Sequence, residues 1–389
     1  MRPSGLSPEA RLVLASAGQD TDVELQSLVS SGLDWGKVLW LAEQERATTV
    51  LWQRLSALGM PNVPAETAEQ LQRMSMVSDF RMLYMHQRLQ ETVQRLAHEG
   101  IDVVLLKGAA VGESVYEKFT DRPMNDLDLL VRPDRAHAAR ESLLWAGWRG
   151  EMDERMARIY ENHHHLPPLL DVSGTEAKLE LHTSLFLEGH PFVLTAERVW
   201  EGRQPIDVGG VTTYVPSLND MLLHACLHFG WSNQLRSGGW KTFRDVGQLA
   251  SRPEMDWPSF VALARESRAS TICYWVFRLA AGQAGVVLPA EVLEALGPGR
   301  PEPVLRRLER HYLHHILPTE WICPSETVGR WMWEAGMRPW RSGYGSARPW
   351  KHEDRIRDAD LGELDARERV ANQLRQLPRW GRYVRAMVE

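Results

Sequence analysis

Two acidic residues stand one position apart in an otherwise apolar stretch of the chain. In RPMNDLDLLV (122–131), Asp126 and Asp128 flank a leucine and precede three aliphatic residues. Side chains two positions apart on a strand share a face, so the two carboxylates repel each other unless a cation lies between them. A divalent cation with oxygen ligands, most often Mg²⁺, fits that position. A strand with a solvent-facing polar side, or a turn capped by Asn125, would show the same pattern.

Charged residues at other predicted strands are candidates for the same site. LLKGAA carries Lys107 and Gly108 where a strand runs into a helix, a place that lets phosphate approach the backbone. Glu180 in KLELHT shares the polar face of its strand with His182, and Arg122 precedes the two aspartates. Two-metal nucleotidyl transfer requires such a set, because one ion holds the triphosphate and the other activates the acceptor hydroxyl. The third carboxylate would bind the second ion and accept or orient the proton.

The stretch LLKGAAVGESVYEKFTDRPMNDLDLLV resembles the signature of the uncharacterised bacterial nucleotidyltransferase-like proteins of the polymerase-β-type superfamily. That signature is a strand ending in L-K-G, a helix with a tyrosine, and R-x-x-x-D-[IL]-D followed by aliphatic residues. LELHTSL matches a downstream carboxylate–Leu–His segment, and HACLHFG…FRDVGQL more loosely matches a histidine pair followed by Arg-Asp. The resemblance covers about residues 70–260. The matching residues are Lys107, Gly108, Tyr116, Arg122, Asp126, Asp128, Glu180 and His182, and more loosely His224, His228, Arg244 and Asp245.

The resemblance implies a nucleotidyltransferase with an NTP substrate and Mg²⁺ or Mn²⁺ as the cofactor. It implies that Asp126, Asp128 and Glu180 are catalytic and bind the metal. Most of the wider superfamily has Gly-Gly or Gly-Ser after the first strand, whereas this chain has Gly108–Ala109, which makes Lys107 the candidate for the triphosphate contact. The resemblance implies nucleotide-binding roles for Lys107, Gly108, Arg122, His182, His224, His228 and Arg244.

Two groups of histidines could also bind a metal. In the run HHH, strand alternation puts His163 and His165 on one face, so that a zinc site there would need ligands from elsewhere. Histidines at the surface or at the edge of the core are the alternative. His224 and His228 share one helical face, but the glutamate of an H-E-x-x-H zinc site is absent.

The histidine pair on the helix is expected to line a cleft between an α/β unit and a helical region, with plain packing between domains as the alternative. Arg244 follows one helix later in FRDVG. Its guanidinium is expected either to bind a phosphate or to pair with Asp245.

The pattern of apolar residues predicts an α+β fold with a small mixed-sheet unit between helical regions, and the resemblance implies that this unit is a nucleotidyltransferase core. Residues 1–99 are predicted to be helical, including one long helix from about 65 to 99. Residues 100–216 form the predicted core, and residues 217–389 are predicted to be helical again. Within the core, strands are expected at 101–107, 126–131 and 211–216 and in HHLPPLLDV and AKLELHTSL, and helices at 108–119 and 133–147.

Composition restricts the class of protein. A chain of 389 residues with a net charge of −6 has no global basic field that would indicate nucleic-acid binding. Its apolar runs are too short to span a membrane, and its first residues lack the apolar core of a secretory signal. Three widely spaced cysteines do not form a disulfide framework or a C-x-x-C metal site, and they fit a reducing cytoplasm.

These observations together predict transfer of a nucleoside monophosphate from an NTP to an unidentified acceptor with release of pyrophosphate. One alternative is a catalytically degenerate relative that binds a nucleotide or a partner protein. A second alternative is a toxin-like enzyme that modifies tRNA or protein, which the basic stretch 367–389 would support. An ordinary solvated helix face is the favoured interpretation of that stretch, because Pro378 breaks the amphipathic run. The sequence does not indicate the acceptor or the oligomeric state.

Overall fold

The computed structural model describes most of the chain. It covers residues 5–337, apart from 151–155, 157–159, 162, 174–176, 188–189, 191, 321–322 and 324, and also residues 380–385 and 387. Residues 338–379, and with them most of the basic stretch 367–389, therefore lie outside the described residues. Within them, helices surround a seven-stranded mixed sheet, so the predicted α+β class is confirmed.

The first hundred residues are helical, as predicted. Ser7 caps the first helix, because its hydroxyl accepts a hydrogen bond from the backbone N–H of Ala10, and Pro8 takes the first helical position. The long helix ends at His98, one residue earlier than predicted. These helices are α1 (Pro8–Ala15), α2 (Asp22–Val29), α3 (Trp35–Gln44), α4 (Thr48–Ala57) and α5 (Ala65–His98).

The sheet has the spatial order β3-β4-β5-β2-β1-β7-β6. Its two central strands, β1 and β2, are fully apolar except at the residues that form the candidate site, which explains why they are buried on both faces. Strand β2 pairs antiparallel with β1 and parallel with β5. The strands are β1 (Val104–Leu106), β2 (Asp126–Leu130), β3 (Trp148–Arg149), β4 (Leu169–Asp171), β5 (Lys178–His182), β6 (Gln204–Val208) and β7 (Val211–Val215).

The predicted elements of the core exist, with shifted ends. The first strand is three residues long rather than seven, and helix α6 (Lys107–Ser114) begins at Lys107 and ends five residues before the predicted Phe119. The predicted helix at 133–147 starts with a 3₁₀ turn, and its α-helical part is α7 (Ala136–Trp145). Strands β3 and β6 were not predicted, because β3 has only two residues and β6 begins with a Gln-Pro pair.

The chain returns to helices after β7. Ser217 caps the first of them through a hydrogen bond from the N–H of Asp220. This helix passes directly into a π-helix at His228–Ser232, a local distortion that is common at functional sites. Helix α8 (Ala196–Gly202) precedes β6, and the helices after β7 are α9 (Leu218–Leu227), α10 (Gly239–Ala250), α11 (Trp257–Glu266), α12 (Ser270–Ala284), α13 (Ala290–Leu296), α14 (Glu302–Ile316) and α15 (Glu326–Met337).

Helices from the two ends of the chain pack on each other. The carboxylate of Glu45, just after α3, accepts hydrogen bonds of 3.2 Å from the backbone N–H groups of Gly238 and Trp240 at the start of α10. Glu45 is buried, and these bonds stabilise the exposed N–H groups of the helix N-terminus. The indole Nε1 of Trp240 donates to Ser16 at 3.0 Å. The division into regions 1–99, 100–216 and 217–389 stays a prediction.

The described helices include none with the length and apolar character of a membrane-spanning segment.

Candidate active site

The carboxylates of the candidate site meet because β2 and β5 run parallel. In their register Asp128 lies opposite Glu180, and Asp126 lies opposite Lys178. Because alternate residues share a face, the side chains of Asp126 and Asp128 lie together, and one oxygen or nitrogen atom each of Asp128, Glu180 and His182 falls within 4.8 Å of the others. The carboxylates of Asp128 and Glu180, from two adjacent strands, therefore lie close together beside His182. The strand alternation of Leu-Glu-Leu-His had placed Glu180 and His182 on one face, but not next to Asp128.

Lys107 lies directly against this acidic group. Its Nζ is 2.8 Å from Oδ1 of Asp128, and it sits at the junction of β1 and α6. The backbone there has a φ of +47°, which is unusual for a residue other than glycine. Although burial opposes the charged form, the carboxylates of Asp128 and Glu180 raise the pKa of Lys107, so the lysine stays a cation.

His182 connects two of the carboxylates. Its Nε2 is 2.8 Å from Oδ1 of Asp128 and 3.5 Å from Oε2 of Glu180. Because a carboxylate only accepts, Nε2 carries the proton, and the buried Nδ1 has no hydrogen-bond partner among the described residues. Lys178 also forms an ion pair with Oε1 of Glu180.

The environments of the three carboxylates differ. Burial disfavours ionisation of Asp128, but the charge of Lys107 and the hydrogen bond from His182 outweigh burial and hold its pKa well below the usual range. Burial likewise opposes ionisation of Glu180, yet the His182 hydrogen bond and nearby cations lower its pKa to about 2. Burial and the neighbouring Asp128 raise the pKa of Asp126. Asp128 and Glu180 are therefore firmly ionised, as oxygen ligands of a divalent cation must be.

A cavity of about 150 Å³ opens in front of the two aspartates. It is smaller than the roughly 300–1,000 Å³ of pockets that enclose a whole small molecule, so it matches phosphate groups and ions better than an entire nucleotide. Strand β2, helix α6, the end of α9 and the start of α10 form its walls. Its polar lining comprises Lys107, Gly108, Arg122, Asn125, Asp126, Asp128, His224, His228, Asn233, Lys241, Thr242 and Asp245.

Arg122 is held by the protein itself. Its Nε and Nη2 each donate to one oxygen of Asp245 at 2.7 Å, and its Nη1 donates to the carbonyl of Pro123 at 2.8 Å. Tyr116 donates to the same carboxylate at 2.8 Å. The predicted alternative that Arg244 pairs with Asp245 is therefore wrong, because Asp245 faces the core and Arg122. A nucleotide contact by Arg122 stays a prediction.

Helix α10 presents a lysine rather than Arg244 to the cavity. Lys241, Thr242 and Asp245 line it, whereas Arg244 lines a separate surface cavity of about 330 Å³ and lies over the ring of Tyr116. Burial lowers the pKa of Lys241 from its ordinary value. Sequence reasoning missed Lys241, although its spacing of four residues from Asp245 would have placed both on one helical face.

The two predicted cleft histidines do line the cavity. His224 is buried, and its Nε2 has no hydrogen-bond partner among the described residues. Burial, together with the charge of Lys107, lowers its pKa to about 3, so this imidazole is neutral. His228 begins the π-helix that closes this side of the cavity.

The histidine run lies next to Glu180, on the side of β5 away from β2. The backbone of His165 forms an isolated antiparallel β-bridge with that of His182, and Nε2 of His165 is 3.6 Å from Oε2 of Glu180. The chain bends at 163–164, so all three imidazoles approach one another rather than alternating between faces. Among the described residues, one nitrogen of each lies within 4.8 Å of the others.

A family model described as "Uncharacterised nucleotidyltransferase" matches residues 31–283, which include every candidate residue named above. The chain belongs to this family. No curated protein and no solved structure matches the chain. Membership supports a general nucleotidyltransferase function and a nucleotide substrate, and the match extends beyond the sheet into α3, α4 and α5 on one side and α9–α12 on the other.

Proposed function

We propose that this chain catalyses metal-dependent transfer of a nucleoside monophosphate from an NTP to an acceptor hydroxyl or phosphate. The acceptor oxygen forms a bond to the α-phosphorus, an acceptor hydroxyl loses its proton to solvent, the bond from that phosphorus to the bridging oxygen breaks, and pyrophosphate leaves with the electron pair. The observation that supports this most is the in-register parallel pairing of β2 and β5, which sets Asp128 beside Glu180 at a small cavity lined by Asp126 and Lys241.

The residues fit a hard divalent cation. Asp126, Asp128 and Glu180 supply carboxylate oxygens, the ligand type that Mg²⁺ and Mn²⁺ prefer. The low pKa values of Asp128 and Glu180 keep these ligands ionised at neutral pH. A bound cation would neutralise charge on the triphosphate and activate the acceptor. Among the described residues, Lys107 forms an ion pair with Asp128, and Lys178 forms an ion pair with Glu180.

The remaining residues have separate tasks in this proposal. Lys241 faces the aspartates across the cavity and would bind the triphosphate, and Lys107 adds a second positive charge at the start of α6. His182 orients Asp128 through its Nε2–H. A carboxylate with a pKa of about 2 is a weak base, which favours Glu180 as a ligand over Glu180 as a proton acceptor.

One observation favours a second candidate, a relative that binds nucleotides without turning them over. The ammonium of Lys107 already neutralises Asp128 at 2.8 Å, so an additional cation must compete with it. The two candidates make opposite predictions about turnover and the same prediction about NTP binding.

The test is incubation of the purified chain with each α-labelled NTP, Mg²⁺ or Mn²⁺, and fractionated small molecules, RNA and protein as acceptors. Label transfer with equimolar pyrophosphate, abolished by chelation and by Asp128→Asn, supports the proposal. Label in an RNA or protein fraction would also identify the toxin-like alternative. NTP binding with no pyrophosphate from any fraction would refute catalysis and favour the binding relative.

A further inference from the structure

The polar face of β5 does not end at its carboxylate but continues into a group of imidazoles. Backbone bonds of 2.9 Å from Leu166 N–H to the Leu181 carbonyl, and from Thr183 N–H to the His164 carbonyl, join the histidine run to the end of β5. The His165 ring lies 5.1 Å from the His182 ring, centroid to centroid. The imidazoles of 163–165 are thus fixed to the same strand as Glu180.

The proton on His165 can be assigned. Its Nδ1 is 2.7 Å from the carbonyl oxygen of Leu166, and because a carbonyl only accepts, Nδ1 carries the proton. The Nε2 lone pair then faces Oε2 of Glu180 at 3.6 Å. Two lone pairs that face each other inside the protein repel unless a cation lies between them. Donation of the other ring N–H to a carbonyl is the usual arrangement of a histidine that binds a metal.

The distances suit a small ion. Metal–nitrogen and metal–oxygen bonds of about 2.0–2.2 Å at tetrahedral angles separate neighbouring ligand atoms by roughly 3.3–3.5 Å. The His165–Glu180 separation of 3.6 Å is close to that. One nitrogen each of His163, His164 and His165 lies within 4.8 Å of the others, and His165 connects this group to Glu180. The buried Nδ1 of His164 has no hydrogen-bond partner among the described residues.

We propose that His163, His164, His165 and Glu180 bind one zinc-class ion, beside the carboxylate site and sharing Glu180 with it. Three imidazoles and one carboxylate form a tetrahedral set that selects Zn²⁺ or Co²⁺, whereas the oxygen ligands of Asp126 and Asp128 select Mg²⁺ or Mn²⁺. The ligands that the sequence alone could not supply for the HHH run are thus provided by the third imidazole and by β5. The inference rests on the proposed function only through the shared Glu180.

The experiment measures binding without turnover. Chelator-treated protein from which any affinity tag has been removed is titrated with Co²⁺, whose four-coordinate form has a characteristic visible absorption. We expect one Co²⁺ per chain, displaced by Zn²⁺ but not by a large excess of Mg²⁺. His165→Gln should weaken Co²⁺ binding by more than the ~10–100-fold lost with an outer hydrogen-bond partner, and His164→Gln should do the same.

His137→Gln is the matched control, because the side chain of His137 is exposed on α7 and belongs to neither metal-ligand group. It should bind Co²⁺ like the original chain, and circular dichroism checks that each variant is folded. Unchanged Co²⁺ affinity in folded His165→Gln, equal competition by Mg²⁺, or no four-coordinate absorption in the original chain would each overturn the inference. Asp128→Asn separates the two proposals, since it should lose turnover and keep the Co²⁺ absorption. Co²⁺ binding in a chain that never transfers a nucleotide would refute the proposed function alone.

Discussion

Asp245→Ala should strongly destabilise the protein because it removes the partner of a buried charge. Arg122 and Asp245 keep only 9% and 6% of their side chains exposed, and two bonds of 2.7 Å join them. The pair ties the segment before β2 to α10, and both residues line the cavity. Its loss would therefore affect the site as well as the fold.

The expected loss is about 3–5 kcal/mol, the range measured when one member of a buried ion pair is removed. The loss exceeds that of an ordinary hydrogen bond, about 1 kcal/mol, because the guanidinium of Arg122 stays buried without its counter-charge. Tyr116 also loses the acceptor of its 2.8 Å bond. Arg122→Met combined with Asp245→Ala leaves no buried charge and should recover much of the stability.

Urea unfolding followed by the combined fluorescence of the sixteen tryptophans gives the free energy of unfolding of each variant. Glu69→Ala is the control, since its ion pair with Arg73 is exposed and should contribute at most about 1 kcal/mol. A loss below about 1 kcal/mol in Asp245→Ala, or a double variant no more stable than the single one, would refute the reasoning.

Four other outcomes are expected. Glu180→Gln should lower kcat far more than NTP affinity, because Asp126 and Asp128 remain; an equal loss in both, from presteady-state kinetics, would contradict its assigned role. Gly108→Ala should leave the unfolding free energy from urea titrations within about 1 kcal/mol of the original, because the crowding of a Cβ 3.3 Å from Met124 Cβ opposes the roughly 1 kcal/mol by which a helix favours alanine over glycine. Lys107→Gly should unfold at higher urea than Lys107→Ala, while both weaken NTP binding more than nucleoside binding. Burial lowers the pKa of His311 to about 4, below its ordinary value of 6.5. Between these two values the unfolded chain binds the proton and the folded chain does not, so the folded state loses stability as the pH falls below 6.5. The expected loss from His311 is about 2 kcal/mol between pH 7 and pH 5. His311→Gln should flatten that dependence in urea titrations at each pH, and an unchanged slope would exclude His311 as its source.

The order of helices and strands could be predicted because it depends on local patterns. The alternation in KLELH and the apolar run after Asp126 indicate strands whichever neighbours they pair with. The pairing of β2 with β5 could not be derived, since some fifty residues separate them and only the completed sheet brings them together. Strand β1 ends one residue earlier than predicted and α6 begins one residue earlier, because the left-handed backbone of Lys107 ends the strand at Leu106.

The candidate site could be predicted where its residues lie within one motif, and less so where packing brings them together. Asp126, Asp128 and Lys107 lie in one signature. Lys241 was missed because the loose match ended on FRDVG, and the charge that faces the cavity is three residues before Arg244. The sequence also did not predict that the three imidazoles of 163–165 lie close together, because strand alternation assumes an extended segment and the chain bends there.

At the Lys107–Gly108 junction, the left-handed backbone and the tight space for a side chain belong to two different residues. A glycine at a strand–helix junction normally indicates a positive φ, yet the positive φ belongs to Lys107, and Gly108 has an ordinary helical backbone. Glycine suits position 108 for a different reason, since a Cβ there would lie 3.3 Å from Nη1 of Arg122 and from Cβ of Met124. A glycine at 107 would adopt the left-handed backbone at less cost, about 1 kcal/mol, but it could not supply the ammonium that contacts Asp128. The chain therefore keeps a lysine in a backbone conformation that suits glycine, which is what we expect if the positive charge beside Asp128 is needed at this point of the site.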